Sequence, residues 1–476
     1  WMPRLVQTGI WDDVELQVSD GTEIAELVCT ASLDAGGQGA LDIRADVWGA
    51  EDARVYLTLT RGERVIREEA RPAADLQAGI HWDGLAVEPW WPNGAGPQPL
   101  YTLRCRLLDR SGAEQDMIER RMGFKNLRWE QCEGAPAGAD PWLCVINGRP
   151  IFLQGVNWTP IRANFADVTG EQYRQRLVLY QRMGCNILRV WGGAGLEKEI
   201  FSSLCDELGL LVWQEFPLSS SGLDNWPPED PAVIAELGEI ARSYIVRRRH
   251  HVSCCVWCGG NELQGSLDGD RVGSGKPVDA THPLIAHLAR IVTEMDPTHR
   301  FLPASSSGPR FMAAAEDFGK GLHWDVHGPW QAVGDLEQEW TQYWEHDDAL
   351  FRSETGAPGA SPAALIEQYR GTWPAVPGTT ANPLWNRVSW WIEWAEFVRE
   401  HGREPGDLGE YVTWSRQRQA RALAIAARAC KERFPRCGGL IIWMGHDGFP
   451  CPTNTAIVDF HGEPKPAVAA LAAIFR

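Results

Sequence analysis

The chain has 476 residues, which at ordinary domain sizes means about two to four domains and a large buried core. Its 45 Lys and Arg against 63 Asp and Glu give a net charge of −18, which argues against nucleic acid or an anionic membrane as partner and fits a neutral ligand. No apolar run approaches the ~18 residues of a membrane-spanning helix.

Tryptophan is the sharpest compositional signal, with 24 Trp against 8 Tyr. The indole is flat and apolar, and sugar rings expose apolar C–H faces, so a Trp-rich cleft suits carbohydrate. More than half of these tryptophans are still expected in the core. Several of the 12 cysteines (Cys29, Cys105, Cys185, Cys205, Cys254, Cys255) fall inside apolar strand or helix patterns. Free Cys packs as a small hydrophobe, so reduced core thiols are expected, and a metal site is not. That leans towards a cytoplasmic setting and leaves periplasmic and secreted settings open. The opening WMPRLVQTGIWDD has neither the basic nor the apolar region of a signal peptide, and the chain reads as starting inside a larger protein.

Residues 1–18 read as one terminal β-strand of a further domain. Residues 19–128 are expected to form an immunoglobulin-like β-sandwich of about seven strands. Short alternating runs such as ALDIRADVWG, RVYLTLTRG and LYTLRCRLLD are separated there by Gly, Asp and Pro. The insert EPWWPNGAGPQPLY (88–101) interrupts this rhythm, and Trp90 and Trp91 are expected to plug a domain interface.

From residue 129 to 476, β-type runs alternate with helical patterns. RPIFLQGVNWTP, CNILRVWGG, GLLVWQEFP, CCVWCGGNEL, RFLPASSSG, LHWDVHGPW, LFRSETG and GLIIWMGHD supply eight strands, which predicts a (β/α)₈ TIM barrel. Helices are predicted around Glu171–Met183, Lys198–Leu208, Ala232–Arg249, Pro283–Met295, Pro362–Tyr369, Val388–Glu400, Glu410–Arg433 and Lys465–Ile474.

Residues at the C-terminal ends of barrel strands face the active-site mouth. Nearly every predicted strand here ends in polar or aromatic groups. Glu262 ends the fourth and Glu354 lies near the end of the seventh, so two carboxylates can meet across the mouth. Retaining glycoside hydrolysis needs such a pair, one protonated to donate to the leaving oxygen and one ionised to attack the anomeric carbon. Glu262 is assigned as acid/base and Glu354 as nucleophile. Asn261 is expected to bond the sugar 2-hydroxyl, and Arg189 to hold the nucleophile ionised. Trp191, Glu215, His327 and Trp443 are expected as further sugar contacts. His446 and Asp447 read as loop anchors, and His250–His251 as a solvated helix end rather than a metal site. The carboxylate pair suffices for the chemistry, so no metal or organic cofactor is expected, and the oligomeric state is left open.

These passages also carry a resemblance. TGIWDDVEL, WWPNGAGPQPLY, RMGFKNL, NGRPIFLQGVNWTP, NILRVWGGAGLEKEIFSSLCDELGLLVWQEF, VWCGGNEL, SETGAPG and VDFHGEPKPA together resemble glycoside hydrolase family 2, within it the β-mannosidase branch. The resemblance implies a retaining, exo-acting hydrolase of β-linked oligosaccharides or glycosides, with its acid/base on Glu262 and its nucleophile on Glu354. It also identifies residues 1–18 as the end of an N-terminal jelly-roll domain otherwise absent. The chain departs from the branch at Glu215, where an Asp is usual, at Thr355, where an aromatic is usual, and at Trp443–Asp447, where the branch carries a WQLND-like passage. Other family 2 activities therefore stay open (β-galactosidase, β-glucuronidase, exo-β-glucosaminidase), as does a non-catalytic carbohydrate-binding protein with a decayed barrel.

Overall fold

The computed structural model describes residues 9–219, 226–265 and 276–476, except positions 17, 20, 35, 50 and 51. The predicted strand at 1–18 falls partly outside the described residues. Its described part, 9–16 and 18, pairs with no strand and leaves Ile10, Val14, Leu16 and Val18 exposed.

The seven predicted strands of the sandwich are all present: β1 (Glu23–Leu33), β2 (Gly39–Trp48), β3 (Arg54–Arg61), β4 (Arg64–Pro72), β5 (Ile80–Leu85), β6 (Tyr101–Leu108) and β7 (Glu114–Met122). They form two antiparallel sheets, β1-β2-β5 and β4-β3-β6-β7. Alternation does the sorting. Leu41, Ile43, Ala45 and Val47 of β2 face Val55, Leu57 and Leu59 of β3 and Leu103, Cys105 and Leu107 of β6 in one core. A short helix, α1 (Ala73–Ala78), joins β4 to β5 where only a link was expected, and it buries Ala73 and Leu76.

The insert at 88–101 docks the sandwich onto the barrel. Trp90 is fully buried and its Nε1 donates to the Asp206 carbonyl at 2.9 Å. Asn93 donates from Nδ2 to the carbonyls of Gln181 and Cys185, both at 2.8 Å. All three acceptors precede barrel strands, so this is the face of the barrel away from the site.

A three-stranded sheet of β8 (Leu127–Glu130), β9 (Leu143–Ile146) and β10 (Arg149–Ile151) follows. Asn147 (φ 49°) and Gly148 (φ 80°) make the tight β9–β10 turn, the backbone region that an Asn-Gly pair favours. The run RPIFLQGVNWTP is thus two strands, not one. Trp142, ahead of β9, stacks on Trp213 (6.3 Å between centroids) beneath the barrel.

The barrel strands are β11 (Leu153–Trp158), β12 (Ile187–Val190), β13 (Leu211–Glu215), β14 (Cys254–Cys258), β17 (Arg300–Leu302), β18 (Asp325–His327), β19 (Phe351–Thr355) and β21 (Gly439–Ile442). Four two-residue strands pair among the loops, β15 (Gln264–Gly265) with β16 (Lys276–Pro277) and β20 (Gly359–Ala360) with β22 (Thr453–Asn454). The eight long strands run β17-β14-β13-β12-β11-β21-β19-β18, all neighbours parallel. The Asp325 N–H donates to the Ser307 carbonyl (3.2 Å) and joins the two ends.

Outside lie α2 (Gly170–Met183), α3 (Glu199–Leu208), α4 (Pro231–Arg248), α5 (Pro283–Met295), α6 (Thr341–His346), α7 (Ala363–Tyr369), α8 (Pro383–Asn386), α9 (Trp394–His401), α10 (Leu408–Glu432) and α11 (Pro466–Phe475). Their starts follow local rules: Thr169 and Gln172 form a capping box on α2, and Asp230 with Pro231 opens α4. The helix predicted over Val388–Glu400 is broken. A single 3₁₀ turn, Ser389–Trp391, precedes α9, because Trp391 and Trp394 are buried in different clusters. Helix α6 between β18 and β19 was not predicted.

Candidate active site

Glu262 stands four residues beyond β14 with its backbone in the left-handed region (φ 54°), which a non-glycine residue seldom adopts without a tertiary reason. Its N–H is bonded to the Ser305 carbonyl, tying the turn to the neighbouring strand end. The two glycines before Asn261 make room for this turn, since a Cβ on Gly259 would lie 2.2 Å from the Pro303 carbonyl oxygen. Glu354 comes from β19 on the opposite side. Oxygens of the two carboxylates and a ring nitrogen of His327 all lie within 4.8 Å of one another.

Arg189, from β12, is fully buried and organises the floor. Its Nη1 donates to Glu354 Oε2 (2.9 Å) and to Asn157 Oδ1, its Nε to Glu215 Oε1 (2.9 Å), and its Nη2 to Asn261 Oδ1. The other Glu354 oxygen accepts from Trp330 Nε1 at 2.8 Å. Burial pushes the Glu354 carboxyl above its ordinary range, the nearby Glu262 adds to this, and Arg189 opposes it. The donor set decides the charge. A guanidinium and an indole can only donate, so Glu354 must accept on both oxygens, as an ionised carboxylate does.

His327 is the third member of the cluster. Its Nδ1 lies 3.0 Å from Glu262 Oε1 and 3.6 Å from Glu354 Oε2, and its Nε2 lies 3.1 Å from Ser305 Oγ. Burial pushes the imidazole down to about 3, so the ring is neutral at ordinary pH.

Six of the residues expected from the sequence thus meet in one network: Arg189, Glu215, Asn261, Glu262, His327 and Glu354. Two of them stand elsewhere than expected. Glu215 is no sugar contact, because it is fully buried with Oε1 on Arg189 and Oε2 on the Gly192 N–H (2.7 Å). His327 is also fully buried, and its two nitrogens are taken by Glu262 and Ser305. Trp191 and Trp443 pack edge to face at 5.7 Å at the ends of β12 and β21. Thr355 is buried and its hydroxyl donates to the Pro329 carbonyl (2.8 Å).

His446 and Asp447 are buried anchors, with His446 Nδ1 2.8 Å from the Tyr180 hydroxyl. His251 is not solvated. It is buried between Asp206 and Glu199, at 2.7 and 2.8 Å. Trp330 belongs to the site and had no assigned role, although it closes the predicted run LHWDVHGPW. Asn157 likewise ends its strand. Ser305 was read only as part of the polar end of its strand, and Ser353 gave no signal, since serines in a strand are as often packing residues.

All 12 cysteines are buried and free. Among the described residues, three groups place possible ligand atoms within 4.8 Å of one another: Glu199, His250 and His251; Cys254, Asp296 and His299; and Glu262, His327 and Glu354. Each contains an imidazole already paired with a carboxylate, as His251 is with Asp206, His299 with Asp296, and His327 with Glu262.

Family models agree with this architecture. "Glycosyl hydrolases family 2" matches residues 22–125, and "Glycosyl hydrolases family 2, TIM barrel domain" matches residues 141–303. The chain belongs to glycosyl hydrolase family 2. Curated relatives similar over its whole length include β-mannosidase B of Aspergillus terreus, 28% identical, and of Aspergillus oryzae, 27% identical. The chain spans 57% of the length of each. Among solved structures, a β-D-mannosidase from Dictyoglomus thermophilum shares the fold with a TM-score of 0.78 at 21% identity, covering 96% of this chain and 55% of that one. A Parabacteroides merdae β-glucuronidase (TM-score 0.65, 16% identity, 96% and 53% coverage) and the Amycolatopsis orientalis exo-chitosanase (0.68, 16%, 95% and 53%) share it too.

Proposed function

We propose that this family 2 chain carries the catalytic centre of a retaining, exo-acting β-glycoside hydrolase, with β-mannosides as the preferred substrates. The observation that carries the reading is the approach of the two carboxylates, whose oxygens come within 4.8 Å. Retaining enzymes hold their pair at about 5–5.5 Å, whereas inverting enzymes leave roughly 6.5–9.5 Å for a water.

In the first step Glu354 attacks the anomeric carbon. The bond to the leaving oxygen breaks, and Glu262 gives that oxygen its proton. In the second step the Glu262 carboxylate takes a proton from water, the water oxygen bonds the anomeric carbon, and Glu354 is released. Arg189 and Trp330 keep Glu354 ionised for attack. Asn261, with its Oδ1 fixed by Arg189, offers its amide to the sugar 2-hydroxyl. The preference for mannose is supported by the names of the curated relatives. Glucuronides, glucosaminides and galactosides are the alternatives within the family.

A panel of aryl β-glycosides tests this. Aryl β-mannosides are expected to turn over fastest, with retained configuration at the anomeric carbon by NMR. Glu354→Ala is expected to lower kcat at least ~1,000-fold. Glu262→Ala is expected to spare dinitrophenyl glycosides and to form a β-glycosyl azide when azide is added. Equal, slow hydrolysis of every panel member by wild type and Glu354→Ala would sink the reading.

A further inference from the structure

Behind Glu262 a file of polar side chains leads away from the mouth. Glu262 Oε1 meets His327 Nδ1 at 3.0 Å, and His327 Nε2 meets Ser305 Oγ at 3.1 Å. The Ser305 hydroxyl donates to Ser353 Oγ at 3.1 Å, and the Ser353 hydroxyl stands by the Asp325 carboxyl and favours its charged form. Asp325 is fully buried, and its two oxygens also accept the N–H groups of Ser307 (3.1 Å) and Ser353 (3.2 Å). The mechanism above gives Asp325 no role.

Such a file has a direction. A neutral imidazole and a hydroxyl each give one hydrogen and take one. Because Ser305 donates to Ser353, it accepts from His327 Nε2–H. The ring then presents a lone pair at Nδ1, and the hydrogen between Nδ1 and Glu262 must belong to Glu262.

We propose that Asp325 is a positioning residue for Glu262, acting through His327, Ser305 and Ser353 to keep the catalytic proton on Glu262. This rests on the reading of Glu262 as acid/base. An ionised Asp325 can only accept, so it fixes the direction of the whole file. The reverse arrangement moves four hydrogens by one bond each: Glu262 to Nδ1, Nε2 to Ser305, Ser305 to Ser353, and Ser353 to Asp325. It ends with Glu262 ionised and Asp325 protonated, and no proton enters or leaves. The two carboxyls therefore share one proton. The charged groups facing His327 are Glu262 from beyond β14, Glu354 from β19 and Arg189 from β12, and Arg189 and Arg300 act on Asp325. Burial pushes Asp325 up to about 7, against the hydrogen bonds of Ser353 and Ser307 and the charge of Arg189.

Ser305→Ala cuts the file without changing any charge, and Asp325→Asn removes the charge at its far end. In both, His327 is freed to donate Nδ1–H to the Glu262 carboxylate, which favours the ionised acid. The alkaline limb of kcat/KM should move about one pH unit lower, and turnover of alkyl β-glycosides at neutral pH should fall about tenfold. Dinitrophenyl glycosides, whose leaving group needs no proton, should slow less than threefold. Equal slowing of both substrate classes with an unmoved limb would mean a merely structural role and overturn the proposal. A second readout needs no turnover: the ¹⁵N spectrum of histidine-labelled protein, with His327 assigned by its loss in His327→Gln. The Nε2–H tautomer in wild type, changing to Nδ1–H in Ser305→Ala, supports the proposal, and Nδ1–H in wild type overturns it. If no β-glycoside is cleaved, the proposed function fails while this spectrum still decides the direction of the file.

Discussion

Arg189 touches Asn157, Glu215, Asn261 and Glu354, side chains from four different strand ends, from a fully buried position. Breaking a buried ion pair from one side leaves the other side's charge in a medium that cannot solvate it. Arg189→Met is therefore expected to destabilise the protein by about 3–5 kcal/mol in urea unfolding, beyond any effect on turnover. Adding Glu215→Gln should return part of that loss, because the fully buried Glu215 is the partner with least access to water. The sequence pointed to these residues for a simple reason: a polar residue ending an apolar strand has few places to go but the mouth. It was silent about direction. Glu215 and His327 end strands as Glu262 and Glu354 do, yet they turn towards neighbouring side chains. That choice depends on register between strands, which no local pattern encodes.

The elements differ in how much of themselves they disclose. Sandwich strands and the capped helices α2 and α4 were legible because alternation, Asp-Pro starts and Gly ends are local signals. The break before α9 was not, because it comes from two tryptophans drawn into separate cores. The end of α4 is a similar case. His250–His251 follows three arginines and reads as a solvated helix end, yet His251 is clasped by Asp206 and Glu199 of α3 and its imidazole is raised to about 9. The folded value lies above the ~6.5 of an unfolded histidine. This contribution to stability is therefore complete below pH ~6.5 and is lost as pH rises through 9, on the order of 3 kcal/mol in all. Unfolding free energies measured across this range should decline in wild type and decline less in His251→Gln. A parallel decline in both would remove His251 as the cause.

At the scale of the whole molecule, sandwich and barrel are joined by specific bonds rather than by a linker. Trp90 is fully buried among these contacts. Trp90→Ala is expected to cost about 3–5 kcal/mol and to split a single calorimetric transition into two, as the sandwich melts apart from the barrel. One unchanged transition would show that the remaining contacts suffice.

Lys125, just beyond the last sandwich strand, adds a tie of another kind. It is buried, and its ammonium donates to the carbonyls of Val252 and, at 2.7 Å, Cys254. Cys254 is the first residue of β14, whose far end leads to Glu262. The strand that leads to Glu262 is thus moored at its base by a residue from outside the barrel. For anyone recombining domains among relatives, a crossover near residue 129 is not a neutral seam. A barrel grafted onto a sandwich without a cation at this point would start its fourth strand on an empty socket, and the fault would surface as lost turnover at the opposite end of the strand.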